Sequence, residues 1–369
     1  MTQKEYWYWL CTLETINARK IHTLISYFQT PEAVFKAPVE EIATVISMKE
    51  REKMVWHESR NNLSEKTEDY HKLQSMGIQF ITMTEPGYPE RLKNIYDPPG
   101  GLFVKGKLPD DNRPGAAIIG ARACSNYGRE MAGYLGEVLA GYGIQIISGM
   151  AMGVDGWGHR GALKAGGDTY GVLGCGPDIC YPRENMDLYR QIPLQGGLLS
   201  EYPPGTPALG MHFPARNRII AALSDCVLVV EARARSGTFI TVDQALEQGK
   251  EVMALPGRLD DPLSLGCNQL IRNGAGIITG VEDILEYFHI SCTNSIQNTK
   301  IIKKVLAKEE KIIYSCLRLQ PKHVEEILKE TGMSVSQVRT ILLQLELKGY
   351  ISQPQKSYYA IRKGSTNVR

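Results

Sequence analysis

Short apolar runs, each closed by small residues and followed by an amphipathic stretch, recur through residues 115–257. The first, Ala116-Ala117-Ile118-Ile119, ends at Gly120, and after the polar Cys124-Ser125-Asn126 a helical pattern begins. There Met131, Leu135, Val138 and Leu139 recur at a spacing that puts them on one face of a helix. A second run, residues 144–147, leads directly into Ser148-Gly149-Met150-Ala151-Met152-Gly153. Further strands are predicted at residues 169–173, 197–200, 226–231 and 251–255; the run at 226–231 is nearly all Val and Leu and must be central. Strand, small-residue turn and helix in repetition specify a doubly wound parallel sheet, with ligands in the crevice beyond the carboxyl ends of the strands.

The flanks follow other patterns. Residues 1–75 read as a small helical unit, a SAM- or helix-hairpin-helix-like domain. It has short amphipathic stretches near residues 6–12, 18–28, 31–35, 39–46 and 49–58, and Thr30-Pro31 marks a helix start. A hairpin that grips a nucleic-acid backbone carries glycines, whereas this one reads Thr15-Ile16-Asn17-Ala18, which favours packing or self-association. Residues 76–110 hold two short strands, 78–82 and 102–104, among Pro- and Gly-rich turns, and are expected to pack onto the central sheet. The α/β domain spans 76–290, a polar linker 291–302, and a winged-helix domain 303–369. In the last, three helices end in a hairpin, and the third places Val338, Ile341, Leu342 and Leu345 on one face and Gln337, Arg339, Thr340 and Gln344 outward. Such a helix commonly enters a duplex major groove; contact with duplex DNA and docking of a protein both stay open.

Composition adds a contrast. The net charge is only +2, yet from Lys300 onward there are 14 Lys and Arg against 6 Asp and Glu, so a basic tail follows an acidic body. The eight cysteines include no CxxC pair, the closest two being Cys175 and Cys180, which favours reduced thiols in a cytoplasmic protein over disulfides or a zinc site. Residues 1–10 lack the pattern of an export signal, and no apolar run is long enough for a membrane span.

The turns at the strand ends carry the chemistry. Arg122 to Ser125, Ser148 to Gly153, Arg216 to Arg218 and Arg235 to Thr238 are expected to converge on one rim as an anion pocket with room for more than one phosphate. Glycines admit close backbone approach, helix N-termini offer free N–H groups, and clustered guanidinium groups call for an answering anion or carboxylate. A salt-bridge network with Glu201 or Glu231 is the alternative use of these arginines. No GxxxxGK[ST] loop, GxSxG elbow or metal-ligating histidine spacing occurs, so the site is read as binding rather than catalytic, with no cofactor and no metal.

Gly120-x-Arg122-x-x-Ser125-x-Tyr127-Gly128, Ser148-Gly149-x-Ala151-x-Gly153-x-Asp155, Tyr181-Pro182, Ser200-Glu201-Tyr202-Pro203-Pro204-Gly205, Phe213-Pro214-x-Arg216-Asn217-Arg218 and Arg235-Ser236-Gly237-Thr238 together resemble the DNA-processing protein A (DprA, or Smf) family. Gly266-x-Asn268-x-Leu270-Ile271 adds to the likeness, which covers about residues 80–290. The resemblance implies an extended Rossmann fold that binds single-stranded DNA, forms a homodimer and loads the RecA recombinase onto incoming DNA during natural transformation. It further implies that Arg122, Ser125, Gly149, Phe213, Arg216, Asn217, Arg218, Arg235, Ser236 and Gly237 line the DNA pocket. Two rivals remain. Related Rossmann nucleotide hydrolases carry GGxGTxxE, but the equivalent stretch here, Ala234 to Thr241, lacks the Glu. A nucleotide-ligand sensor feeding a winged-helix DNA-binding domain is the other.

Overall fold

The computed structural model of the chain describes residues 1–291, 308–317 and 321–361. The chain divides into two compact units, Met1–Cys292 and Thr293–Arg369. The linker expected at 291–302 lies, apart from residue 291, outside the described residues.

The first unit opens with six helices: α1 (Gln3–Cys11), α2 (Ala18–Phe28), α3 (Pro31–Lys36), α4 (Val39–Ile46), α5 (Glu50–Asn61) and α6 (Leu63–Ser75). Their starts are chemically marked. Thr2 and Glu5 form a capping box on α1, Asn17 accepts from the Lys20 N–H at the start of α2, and Thr30 caps α3 ahead of Pro31. Trp7, Trp9, Leu24, Ile42 and Trp56 fill the space between them, with the Trp9 and Trp56 rings edge-on at 5.1 Å. Phe80 and Phe103, from the strands that follow, belong to this same core, so the helices are packed onto the sheet.

The sheet has nine strands in the order β1-β2-β6-β5-β4-β3-β7-β8-β9. These are β1 (Gln79–Thr82), β2 (Gly101–Gly106), β3 (Gly115–Ile119), β4 (Gln145–Ser148), β5 (Thr169–Leu173), β6 (Gly197–Ser200), β7 (Cys226–Val229), β8 (Glu251–Ala254) and β9 (Gly276–Ile277). The helices between and after them are α7 (Glu90–Lys93), α8 (Asn126–Gly141), α9 (Val154–Lys164), α10 (Met186–Gln195), α11 (His212–Leu223), α12 (Thr238–Glu247), α13 (Leu265–Arg272) and α14 (Val281–Tyr287). From β6 to β9 the strands are parallel. The bridge segment does more than pack on this sheet, because β2 pairs antiparallel with β6 and β1 antiparallel with β2, which makes the sheet mixed. Both faces are covered, as the period-two pattern requires. Ala117, Ile119, Val227 and Val229 face one core, while Ala116, Ile118, Cys226 and Leu228 face the other.

The second unit contains α15 (Lys308–Cys316), β10 (Lys322–His323), α16 (Val324–Thr331), α17 (Val335–Leu347), β11 (Ile351–Gln355) and β12 (Tyr358–Ile361), with sheet order β10-β12-β11. Gly332 takes the left-handed conformation that ends α16, and Ser334 with Gln337 forms the capping box that starts α17. Ile313, Ile327, Val338, Leu342 and Leu345 form its core.

Candidate functional site

Beyond the carboxyl ends of β3, β4 and β5, a narrow cleft of about 50 Å³ is lined by Arg122, Gly149, Ala151, Gly174, Tyr181, Phe213 and Arg216, among others. Each strand supplies one wall through the turn that follows it, and the first turns of α11 close the remaining side. Phe213 is the centre of the arrangement. The Arg122 guanidinium carbon lies 5.6 Å from its ring centroid and that of Arg216 lies 5.9 Å away. The ring of Tyr181, 44% exposed, is stacked on it at 5.4 Å with 28° between planes. Phe213 reaches this position because Gly174 has no side chain: a Cβ there would stand 2.8 Å from the Phe213 ring.

The two arginines differ in setting. Arg216 is buried, donates to the carbonyl oxygens of Gly149 (2.8 Å) and Val172, and offers its Nε to Asn217 Oδ1 (3.2 Å). Burial lowers its guanidinium to about 10, with the nearby Asp155 pulling the other way, so it stays charged at neutral pH. Asp155 is itself buried and raised by that burial, against the opposing influence of Arg216 and of the Ala151 and Gly149 N–H groups that donate to it. Gly149 is the hinge of this packing, since a Cβ would come within 2.7 Å of Arg216 Nη2 and 2.8 Å of Asp155 Oδ2. Arg122, by contrast, is exposed and forms no ion pair among the described residues, its only ring partner being Phe213.

Of the ten residues expected at the pocket, Arg122, Gly149, Phe213 and Arg216 line the cleft, and Asn217 supports it from behind. The others are placed differently. Ser125 caps α8 through the Gly128 N–H, and its own N–H (2.9 Å) and hydroxyl (2.5 Å) both donate to Glu231. That carboxylate fills the crevice between β3 and β7, where the strand order reverses, and the open cleft lies on the β4 and β5 side. Arg235, Ser236 and Gly237 follow β7 and are therefore beyond the sealed crevice; Ser236 accepts from the Thr238 N–H at the start of α12, while Arg235 is exposed. Arg218 is set apart from the cleft lining. Its Nη2 pairs with Glu201 at 2.7 Å and its Nε donates to the Asp97 carbonyl at 2.9 Å, with both charged side chains largely buried. It is engaged by the protein itself, as the salt-bridge alternative foresaw.

A comparison with protein-family models finds DNA recombination-mediator protein A over residues 79–289 and the DprA winged helix domain over residues 303–354. The chain belongs to the DprA/Smf family. Family members named as DNA processing protein DprA include that of Bacillus subtilis, 44% identical over 216 residues, which cover 58% of this chain and 72% of that one. Among solved structures, DNA processing protein A from Streptococcus pneumoniae superposes with a TM-score of 0.67 at 34% identity, covering 78% of this chain and 98% of that one. DNA processing protein A from Helicobacter pylori, described for its single-stranded DNA binding mode, superposes with a TM-score of 0.51 at 30% identity, covering 57% of this chain and 96% of that one. These matches extend the α/β and winged-helix architecture of the family to this chain.

Two residues of the site went unselected in the sequence. Tyr181 was visible only as half of a Tyr-Pro turn, yet it forms the exposed face of the cleft. Asp155 answers Arg216 from the first turn of α9. His159 is a buried residue of α9 whose Nδ1 bonds the Thr169 hydroxyl at 2.7 Å; burial lowers its pKa to about 3, which keeps it neutral beside the arginines. Among the described residues no cluster of His, Cys, Asp and Glu could hold a metal ion, the cysteines are unpaired, and no helix is long and apolar enough to cross a membrane.

Proposed function

We propose that this chain binds single-stranded DNA in the cleft at Phe213 and hands the bound strand to the RecA recombinase during DNA uptake and recombination, acting as a homodimer and without catalysing a reaction. One observation carries the binding reading: Arg122, exposed and without an ion pair among the described residues, and a charged, buried Arg216 flank one aromatic ring, on which a second, exposed ring is stacked. Phosphates are answered by guanidinium groups and bases by ring faces, the combination that holds unpaired strands without reading their sequence. The hand-over to RecA and the homodimer rest on family membership.

The test is equilibrium binding of the purified chain to single-stranded oligonucleotides across a salt series, with and without RecA. Affinity should be largely indifferent to sequence and fall with salt at a log-log slope near −0.7 per phosphate neutralised. RecA filaments should nucleate faster on strands carrying the protein. Saturable binding of a mononucleotide with no binding of oligonucleotides would instead support a nucleotide sensor coupled to the winged helix.

For the winged-helix unit, docking of a protein is the better-supported role. On α17, positions 335, 339, 343 and 347 share a face at i, i+4 spacing, and Val335, Leu343 and Leu347 there are 52%, 57% and 80% exposed beside a single arginine. The exposed Gln337, Arg339, Thr340 and Gln344 of the same helix keep duplex contact as the second reading.

A further inference from the structure

Tyr96 has one of the most exposed rings of the chain, at 77%, and it stands in the loop between α7 and β2. The Arg19 guanidinium, from the first turn of α2, is laid over the ring at 5.4 Å from its centroid. Arg19 is exposed and takes no carboxylate partner among the described residues, whereas the adjacent Lys20 is paired with Glu52 at 2.6 Å. The loop beneath is fixed. Arg218 donates to the Asp97 carbonyl and holds Glu201, and the next residue, Tyr202, is stacked face to face on His212 at 4.1 Å. His212 precedes Phe213, so the elements that build the cleft also hold the Tyr96 loop.

The topology puts both on one rim. β2 runs antiparallel to β6 with Phe103 opposite Ser200, which brings the start of β2, and the loop before it, to the carboxyl end of β6. Three strand steps separate β4 from β2 in the sheet order, about 14 Å at the usual spacing. Near that rim Tyr181 is stacked on Phe213 and Tyr202 on His212, and Tyr96 precedes Asp97, whose carbonyl Arg218 holds. We infer that Tyr96, backed by Arg19, is a second stacking platform for a base of the same single strand, reached as the strand leaves the cleft past Tyr202 and His212. This rests on the proposed function of the cleft. Arg218 answers the carboxylate of Glu201, and the charge of Arg19 is set against that of Asp97, so the Tyr96 end of the rim gains little net positive charge. The contact there is made by the ring, with little part for phosphate.

The charge balance makes the experiment specific. The full chain and its Tyr96→Ala, Tyr96→Phe and Arg122→Ala variants are titrated with oligothymidylates of about 2 and about 16 nucleotides, the first too short to cover the distance from the cleft at about 3.4 Å per stacked nucleotide and the second at the upper end of single-strand site sizes. Tyr96→Ala should weaken the longer strand about 5- to 150-fold, the effect of one lost base stack, while leaving the shorter strand within about twofold and the salt slope unchanged. Tyr96→Phe, which keeps the ring, should bind as the wild type does. Unaltered binding of the longer strand by Tyr96→Ala overturns the inference, as does an equal loss at both lengths, which would report a disturbed cleft. If the wild type binds neither strand, or Arg122→Ala binds both normally, the reading of the cleft fails first and separately.

Discussion

Replacing Arg122 by Ala is the most direct test of the cleft, because this guanidinium is exposed, unpaired with any carboxylate among the described residues, and positioned only by the Phe213 ring. Its removal leaves no buried charge unanswered, and exposed substitutions of this kind change stability by about 0.5 kcal/mol, to which the lost cation–π contact adds about 0.5–1 kcal/mol. On a chain of this size the melting temperature should therefore move by only a few degrees. Binding should respond far more. A charge-assisted hydrogen bond to phosphate contributes about 1.5–3 kcal/mol, which corresponds to a roughly 10- to 150-fold rise in Kd. One fewer phosphate is neutralised, so the log-log salt slope should become shallower by about 0.7. Fluorescence anisotropy with a labelled oligothymidylate, repeated at several salt concentrations, measures both quantities. Loss of affinity with an unchanged slope would mean that Arg122 acts through Phe213 alone. Wild-type affinity and slope together would remove the cleft as the binding site.

Three further outcomes follow from the same geometry. Gly149→Ala should destabilise the chain by about 1–3 kcal/mol, as overpacking does, and abolish tight single-strand binding, since the added methyl meets both Arg216 and Asp155; thermal unfolding and anisotropy read the two effects. His159 is neutral when folded, with its pKa lowered from 6.5 to about 3, so the unfolded chain takes up a proton first as pH falls. The stability this group contributes is fully present above pH 6.5 and is lost toward pH 3 at about 1.4 kcal/mol per unit; urea titrations of His159→Gln should show a shallower acid dependence between pH 6.5 and 4 than the wild type. A chain ending near residue 298 should bind single strands as the full chain does and lose only the partners of the winged helix, which pull-down with and without that unit would reveal.

Most of the parallel sheet was legible because its strands are buried on both faces and read as uninterrupted apolar runs. The run at residues 169–173 and that at 197–200 coincide with β5 and β6. The edge was harder. β1 and β2 were visible as strands, but nothing local to Ile81 or Phe103 says that they extend the sheet, because pairing with β6 is a non-local choice settled by the helices that cover Phe80 and Phe103. β9, two residues long, carries too little periodicity to be seen. Gln145 and Arg91 show the same limit on the polar side: the carboxamide bonds the backbone at Asp110, and the guanidinium binds Asp225 far along the chain.

The site shows where sequence reasoning could have gone further and where it could not. Arg216 and Arg218 are two positions apart on α11, and on a helix such positions point to nearly opposite sides, so both could never have faced one cleft. Which of them does so is decided by what lies opposite. On one side β4 ends in a glycine turn whose carbonyl, with that of Val172, accepts from a buried guanidinium; on the other, β6 ends in Glu201, which answers the second. The same reasoning holds for Glu231, which follows the most apolar strand of the chain and reaches across to Ser125. A carboxylate at that place closes the crevice where the strand order reverses and leaves the neighbouring one, beneath Phe213, open to a ligand. Removing it should therefore alter selectivity as well as stability. Glu231→Gln keeps a hydrogen-bonding partner for Ser125 but withdraws the negative charge between the Arg122 and Arg235 loops. If that carboxylate confines the strand to the β4 and β5 side, the variant should bind single strands more tightly at low salt, with a steeper salt slope. An unchanged slope would show that the crevice is closed by shape alone.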